Sequence, residues 1–190
     1  MRAIYSFIVE PLNNRRYDNV KSYDQVDFIT SVSEEDYKAA NRYAKVKSLP
    51  LQYSGDVKVG DTLLVHHNVF KFYNDMRGRR KSGKSYFKEN LFFIDNEQFY
   101  MYKQDNVWKA HGKYCFVKPI KTEESLILKN TKYEPLVGYI KYSNKQLEKK
   151  GIKEGDKIIF RPESEYEFNV DDELLYRMFT DNITTVINGQ

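Results

Sequence analysis

The pattern that decides the fold is Val57-Lys58-Val59-Gly60-Asp61-Thr62-Leu63-Leu64-Val65, and it recurs 95 positions later as Ile152-Lys153-Glu154-Gly155-Asp156-Lys157-Ile158-Ile159-Phe160. Both stretches read apolar-Lys-X-Gly-Asp-X followed by three apolar residues. Gly-Asp is a turn signal, and a short apolar run after a turn is typical of a buried strand. The chain is therefore predicted to contain the same turn and the same strand twice.

Three further blocks recur around that pattern in the same order. The first pair is Phe7–Leu12 with Cys115–Ile120, in which Pro11 and Pro119 lie 108 positions apart, and the second is Ala44–Lys47 with Gly138–Lys141, 94 positions apart. The third pair is Asn90–Phe93 with Glu173–Tyr176, 83 positions apart. It continues as Asp95–Tyr102 with Thr180–Ile187. The alternative is chance similarity between short strand patterns, which four matches in a fixed order disfavour. We expect two related units, residues 1–106 and 107–190.

The separations between matching blocks locate two insertions in the first unit. The fall from 108 to 94 places 14 additional residues in an insertion near 13–43, and the fall from 95 to 83 places 12 in an insertion near 68–88. In the first insertion, Ser33–Tyr43 begins with a capping serine and acidic residues, and it places apolar side chains near one helical face, which predicts a short helix. Elsewhere strands are short and turns recur at the spacing of sandwiches and barrels.

Arranged in this way, the repeat resembles the GroES family of co-chaperonins. In that family a strand ending near proline leads into a mobile loop, then a Gly-Lys-Val-type strand, then a Val-Lys-X-Gly-Asp-X-Val-Ile-Phe-type strand, and Glu-X-Leu-Ile and Asp-Ile-like segments close the domain. The second unit matches over about residues 113–187, and the first more loosely over residues 4–102. The matching segments of the second unit are Phe116–Pro119, Val137–Ile140, Ile152–Phe160, Glu173–Met178 and Asp181–Ile183. The resemblance implies a mostly β protein of two tandem GroES-like small β-barrels, with one short helix in an insertion.

The resemblance also implies a partner site. In the family an apolar tripeptide of the mobile loop docks into the apical groove of the chaperonin, and Leu126-Ile127-Leu128 stand at the corresponding place. Polar residues flank this apolar tripeptide, which suits a segment that becomes ordered on a hydrophobic partner. The alternative is an ordinary buried strand over Ser125–Lys129. The first unit has only a faint counterpart, Val26-Asp27-Phe28-Ile29.

A second candidate site is the basic segment 68–88. It has seven basic residues and one acidic residue, so its net charge is +6 and the rest of the chain carries −2. The residues expected to meet a partner are Arg77, Arg79, Arg80, Lys81, Lys84 and Lys88. Glycines and serines predict a flexible tip between two strands. Basic residues among aromatic ones can bind single-stranded nucleic acid. An acidic protein surface or a solvated loop is favoured, because no groove-reading motif is present.

The chain offers little for catalysis or for metal binding. Its histidines are His66, His67 and His111, its one cysteine is Cys115, and its acidic pairs form no general-acid constellation. His66 and His67 are expected to alternate across a strand, and Cys115 to be buried. Gly78–Ser85 completes a Gly-X4-Gly-Lys-Ser pattern, but a phosphate-binding loop must lead into a helix, and a β-rich segment follows. We expect no enzyme, no metal and no cofactor.

Composition indicates a soluble protein. No run of about 18 apolar residues is present, so a membrane span is excluded. The apolar stretch before Glu10 is too short for a secretory signal, and a single cysteine fits a reducing compartment, so we expect a cytoplasmic protein. The Lys-, Asn-, Ile- and Tyr-rich composition and the large insertions suggest a bacteriophage-encoded protein, in which case the compartment is the host cytoplasm.

The resulting functional expectation is a co-chaperonin-like cap. Tandem barrels would assemble into a homo-oligomeric ring, bind a GroEL-like chaperonin ring through the mobile loop and assist protein folding. Two alternatives remain open: a structural or assembly protein of a viral particle that uses a GroES-like barrel, and a basic nucleic-acid-binding β-barrel that uses residues 77–88.

Overall fold

The structure is a computed structural model of the 190-residue chain, and it describes residues 2–17, 20–23, 26–29, 39–122 and 133–187. The chain divides into two compact units, Met1–Val107 and Trp108–Gln190. The described residues contain seventeen strands and one α-helix. The prediction of a mostly β protein is therefore confirmed.

The first unit is built on a seven-stranded sheet. Its strands are β1 (Phe7–Pro11), β2 (Val20–Tyr23), β3 (Val26–Ile29), β4 (Tyr43–Ser48), β5 (Thr62–Val65), β6 (Phe72–Asn74), β7 (Arg80–Ser82), β8 (Tyr86–Lys88), β9 (Leu91–Ile94), β10 (Phe99–Gln104) and β11 (Val107–Ala110), which contains the unit boundary. Seven of them pair in the order β11-β10-β5-β4-β1-β9-β8. The remaining four form two separate hairpins, β2 with β3 and β6 with β7.

The second unit is built on a six-stranded sheet. Its elements are β12 (Tyr114–Lys121), β13 (Tyr133–Tyr142), α1 (Lys145–Lys149), β14 (Lys157–Phe160), β15 (Tyr166–Val170), β16 (Glu173–Phe179) and β17 (Ile183–Ile187). The sheet order is β15-β16-β12-β13-β14-β17. The short helix α1 begins after Asn144, whose side chain accepts hydrogen bonds from the backbone N–H groups of Gln146 and Leu147 (3.0 Å each). Such an N-cap satisfies backbone donors that the first helical turn leaves without partners.

The two sheets share one strand order. Starting from β8, the first sheet runs β8-β9-β1-β4-β5-β10, and these strands match β15-β16-β12-β13-β14-β17 one for one. The registers agree as well, because Pro11 lies opposite Ala44 and Pro119 lies opposite Gly138. The repeat separations of 108 and 94 positions are thus confirmed by strand pairing.

The repeated Gly-Asp turn has the same hydrogen bonds in both units. In the first unit, Asp61 Oδ2 accepts from Lys58 N (2.7 Å) and Gly60 N donates to Val46 O (2.9 Å). The equivalent bonds of the second unit are Lys153 N to Asp156 Oδ2 (2.9 Å) and Gly155 N to Ile140 O (2.8 Å). Gly60 has φ +95° and Gly155 has φ +89°, a region that side chains rarely adopt. The motif therefore fixes the turn and also fastens it to the neighbouring strand.

Each unit has its own hydrophobic core. In the first unit, the buried Phe7 ring on β1 contacts Tyr53 (ring centroids 4.8 Å apart) and Phe99 (5.4 Å) edge-on. The equivalent position of the second unit is Cys115, which is also fully buried and lies opposite Met178. The same backbone position thus carries a large ring in one core and a small side chain in the other.

The matching of the last sequence block is wrong by one residue. Phe92 lies opposite Val9 and Tyr176 lies opposite Val117, so the separation is 84 positions and not 83. The continuation into β10 and β17 is also separated by 84 positions, and not by the 85 positions that the match of Asp95–Tyr102 with Thr180–Ile187 implied. The second insertion accordingly holds 11 additional residues and not 12. Leu91–Ile94 and Leu174–Tyr176 are continuous apolar runs, in which alternation cannot fix the register.

The helix expected over Ser33–Tyr43 is not formed in its described part. Residues 33–38 lie outside the described residues, Ala40 forms a bridge with Tyr17, and Tyr43 begins β4, opposite Leu64. Pairing with a neighbouring strand overrides the helical pattern here. The helix that the structure does contain, α1, lies in the second unit, where sequence analysis expected none.

Strand pairing among the described residues leaves both sheets open. The edges are β8 and β11 in the first sheet, and β15 and β17 in the second. The described strand pairs therefore form no closed barrel.

Candidate interaction surfaces

The apolar tripeptide Leu126-Ile127-Leu128 lies outside the described residues, in the connection from β12 to β13. The two ends of this connection are described, because Lys121 pairs with Tyr133. The 11-residue segment 122–132 therefore leaves and re-enters the sheet at neighbouring positions. In the first unit the matching connection, from β1 to β4, contains the hairpin β2–β3, and the faint counterpart Val26–Ile29 is strand β3 itself.

The basic segment forms a β-hairpin, in which the tip that its glycines and serines predicted lies between strands β6 and β7. The flexibility of this tip stays a prediction. Strands β6 and β7 pair antiparallel, with Phe72 opposite Ser82 and Asn74 opposite Arg80. We call residues 72–82 the basic hairpin. Strand pairing gives its charged side chains a defined spacing, because residues directly opposite each other share one face.

Asp75 closes the turn of the basic hairpin. Its backbone N–H donates to Arg79 O (2.9 Å) and its backbone O accepts from Gly78 N (2.8 Å). Its Oδ1 accepts from Arg77 N and Arg79 N (2.9 Å each), and Gly78 has φ +71°. Aspartate at the first position and glycine at the fourth are typical of a type I turn in a three-residue hairpin loop. The sequence thus carried a specific turn signal that compositional reasoning missed.

Arg16 fastens the basic hairpin to the first sheet. Its guanidinium lies 4.2 Å from the ring centroid of Phe72 and 4.7 Å from that of Phe92 on β9, and Nη1 donates to Ser82 Oγ (3.0 Å). Tyr17 stacks on Phe72 and its hydroxyl accepts from Phe72 N (2.8 Å). These contacts join residues more than fifty positions apart, so no local pattern predicts them.

The six predicted basic residues are all exposed, but they do not form one cluster. Arg77 and Arg79 lie in the turn, Arg80 and Lys81 on β7, Lys84 in the next turn, and Lys88 at the end of β8. Arg80 lies over the Phe72 ring (3.7 Å to the centroid), and Lys81 Nζ lies 3.8 Å from Asp75 Oδ2. Lys88 belongs to the main sheet. The charges at the tip are therefore those of Arg77 and Arg79.

A cavity of about 620 Å³ lies beside the basic hairpin. Its lining residues are Asn68, Lys71, Phe72, Tyr73, Gly83, Lys84, Ser85 and Gln98. Three of them belong to the Gly-X4-Gly-Lys-Ser pattern. Strand β8 follows that pattern, so it does not lead into the helix N-terminus that binds phosphate in such loops.

His66 and His67 do not alternate across a strand. They follow the end of β5 in a turn, where Val69 N donates to His66 O (3.1 Å), and their rings lie 4.1 Å apart. The prediction was wrong because β5 ends at Val65, one residue before the pair. Burial, and after it the nearby positive charges of His66, Arg42 and Lys71, lower the pKa of His67 to about 4.

Cys115 is buried, as the sequence predicted. Burial raises the pKa of its thiol to about 12, and Sγ donates to Met178 O (3.7 Å). A buried thiol of high pKa is a poor nucleophile, because the thiolate is the reactive form.

Within the described ranges, no group of three or more His, Cys, Asp or Glu side chains is placed to hold a metal ion. Among the described residues, every helix is too short or too polar to cross a membrane.

No protein-family model matches the chain, and a search of curated proteins found no match.

Proposed function

We propose that the chain is a co-chaperonin-like cap. Its two units act as tandem GroES-like barrels, assemble into a homo-oligomeric ring, and bind a GroEL-like chaperonin ring through the apolar tripeptide Leu126-Ile127-Leu128. The observation that carries the proposal is the six-strand order shared by the two units, with a long connection after the proline-containing strand in each. That connection is where the GroES pattern has its partner-binding loop.

The pairing of Lys121 with Tyr133 supports this use of the connection. A chain of 11 residues anchored at two neighbouring positions is long enough to extend outward and return, and at about 3.4 Å per residue its length limits the distance from the sheet to roughly 18 Å. The apolar tripeptide lies near the middle of this segment, at residues 126–128 of 122–132. Of the whole segment, the apolar tripeptide is therefore the part that chain length allows farthest from the sheet.

Assembly into a ring would strengthen docking. Each Leu or Ile side chain that is buried in a partner groove contributes about 1.5–3 kcal/mol, and ordering the segment offsets part of this. One segment would therefore bind weakly, whereas several segments on one ring bind together with much higher avidity. The open edges β15 and β17 offer backbone groups that another copy can pair with.

The experiment is size-exclusion chromatography of the chain with a GroEL-type chaperonin, with and without ATP. The wild-type chain is expected to co-elute in the presence of ATP. The triple substitution Leu126→Ser, Ile127→Ser and Leu128→Ser is expected to lower the bound fraction at least about tenfold, since most of the buried apolar area is lost.

The matched control is the triple substitution Ile4→Ser, Leu51→Ser and Val59→Ser, which removes three exposed apolar side chains elsewhere. This variant is expected to bind as the wild-type chain does. A wild-type chain that never co-elutes with the chaperonin would overturn the proposed function. Equal binding by the two triple variants would overturn the role of the apolar tripeptide.

A further inference from the structure

The tip of the basic hairpin presents an apolar side chain among cations. Met76 is fully exposed at the turn, between Asp75 and Arg77, and Arg79 follows two residues later. Methionine is flexible and polarizable, and it is frequent in protein interfaces, as arginine is. An isolated apolar residue at the end of a projecting hairpin contributes nothing to the core of its own unit.

Contacts within its own unit hold the basic hairpin in one geometry. The side chain of Asp75 holds two backbone N–H groups of the turn, and Arg16 fixes the hairpin to the sheet through Phe72 and Ser82. A segment that is already ordered loses little conformational entropy on binding. A cationic loop that served only to remain solvated would need none of these contacts.

The tip presents net positive charge to the outside. Asp75 is the one acidic residue of the segment 72–82, and its side chain is mostly buried, with 23% exposure. Its Oδ1 faces the turn backbone and its Oδ2 faces Lys81. The exposed guanidinium groups of Arg77 and Arg79 therefore dominate the field at the tip. A complementary surface carries carboxylates.

The rings of Phe72 in the hairpin and of nearby Tyr86 favour a protein partner over single-stranded nucleic acid, and Tyr73 is the one exposed ring of the hairpin. Base stacking needs an accessible ring face. The Phe72 ring has Arg80 3.7 Å and Arg16 4.2 Å from its centroid and stacks with Tyr17, and Arg16 also lies 5.1 Å from the ring centroid of Tyr86. Phe72 and Tyr86, two of the aromatic rings expected from the sequence to stack on bases, thus have arginines of their own unit over their faces.

We propose that the basic hairpin docks onto a protein surface that has an apolar notch bordered by carboxylates. Met76 enters the notch, and Arg77 and Arg79 pair with the carboxylates. An apolar anchor with flanking arginines is the arrangement that carries most of the binding energy in many interfaces. This contact goes beyond the proposed docking of the apolar tripeptide, because it uses the first unit and a partner surface of different chemistry.

The experiment measures fluorescence anisotropy with three labelled probes at low salt. The probes are a 12-residue peptide of aspartates and glutamates with two central leucines, the same peptide with two central serines, and a 12-nucleotide oligo-dT. The wild-type chain is expected to bind the leucine peptide roughly fivefold or more tightly than the serine peptide, because about two side chains gain burial. It is expected to bind the leucine peptide more tightly than oligo-dT.

The variants separate the anchor from the charges. Met76→Ser is expected to remove the preference for leucine over serine, and Met76→Leu to retain it. The double substitution Arg77→Ser and Arg79→Ser is expected to lower the affinity for the leucine peptide roughly tenfold or more. The matched control, Lys149→Ser with Lys150→Ser, removes two exposed charges of the second unit and is expected to change binding less than about twofold.

Three outcomes overturn the inference. Tighter binding of oligo-dT than of the leucine peptide would identify a nucleic-acid surface. Equal affinity for the two peptides would show that Met76 is not an anchor. An equal loss in the arginine variant and in the lysine control would show that net charge, and not the hairpin, attracts the peptide.

Discussion

The two units build the same six-strand sheet, but they differ in what they add to it. The first unit carries the hairpin β2–β3 between β1 and β4 and the basic hairpin between β5 and β8. The second unit has the 11-residue segment 122–132 and the five residues 161–165 at these two places, and it carries the helix α1 between β13 and β14. Register within the shared strands is unchanged by these additions. The sheet is thus specified by the proline strand and the Gly-Asp turn, and the connections are free to acquire binding surfaces.

The cores differ as much as the connections do. Phe7 in the first unit corresponds to Cys115 in the second, and Ala44 corresponds to Gly138. One backbone arrangement therefore accommodates different side-chain volumes at matching positions. Substitutions at these pairs test whether the correspondence is real and how far it extends.

The largest expected effect on stability is at the pair Phe7 and Cys115. Phe7→Ala removes a ring that contacts Tyr53 and Phe99, and we expect it to destabilise the first unit by about 3–5 kcal/mol. Cys115→Ala removes one buried sulfur atom and should cost the second unit about 1 kcal/mol. Hydrogen exchange of amides in β1–β4 and in β12–β13 would report each unit separately. Similar losses in the two units would contradict the assigned difference between the cores.

The next largest effect on stability is expected at the pair Ala44 and Gly138. A methyl group on Gly138 would collide with Val117 Cγ1 and lie 2.8 Å from Lys118 O, so Gly138→Ala should cost about 1–3 kcal/mol through overpacking. Ala44→Gly should cost the first unit about 1 kcal/mol, because glycine is unfavourable inside a strand. Urea unfolding of the two variants makes the comparison. A neutral Gly138→Ala substitution would mean that β12 and β13 do not approach as closely as described.

Acid should weaken the first unit before the second. The pKa of His67 is lowered from 6.5 to about 4, chiefly by burial, so the fold favours the neutral ring. The neutral ring contributes about 1 kcal/mol to the free energy of unfolding, a small value because the ring is partly exposed. This stabilisation is fully present above about pH 6.5 and is lost as the pH falls toward 4. The protection of the β5 amides, taken as the intrinsic exchange rate divided by the observed rate at each pH, should therefore fall between about pH 6.5 and 4.5, and it should fall less in His67→Gln. An identical pH profile in that variant would exclude His67 as the cause.

The smallest effect concerns surface charges at matching positions. Glu10 pairs with Lys47 (2.9 Å) in the first unit, whereas Lys118 and Lys141 occupy these positions in the second and share Glu173 (2.6 and 3.2 Å). Hydrogen bonds from Lys118 first, and then from Lys141, hold the pKa of Glu173 below its usual value.

Glu173→Gln would leave two lysines without their shared partner, so we expect a loss below about 1 kcal/mol that shrinks at high salt. Glu10→Gln should cost less. Thermal unfolding at low and high salt measures both. A larger loss for Glu10→Gln than for Glu173→Gln would contradict the shared role of Glu173. The stability that ionised Glu173 contributes is present above the carboxyl's unfolded pKa and is lost as the pH falls through its lowered folded pKa, so this loss begins where the loss due to His67 is ending.

The parts of the fold that sequence analysis predicted are those with a local physical signature. Pro11 and Pro119, and the turns at Gly60 and Gly155, have such signatures, and their correspondence is confirmed. The register of β9 and β16 was wrong by one residue, because continuous apolar runs do not distinguish their two faces.

The basic hairpin shows a similar limit. Asp75 and Gly78 carried a local turn signal that could have been read from the sequence. The contacts of Arg16 with Phe72 and Ser82 could not, because they join distant positions of the chain. The helix α1 was missed although Asn144 is a typical N-cap, since five residues give too short a periodic pattern.

The most direct test of the account is native mass spectrometry of the chain with a GroEL-type chaperonin and ATP. The account predicts one defined complex, in which several copies of the 22.6 kDa chain occupy an end of the chaperonin together, and the loss of that complex when ATP is omitted. Independent binding of single copies, or free chaperonin beside a free monomeric chain in the presence of ATP, would contradict it.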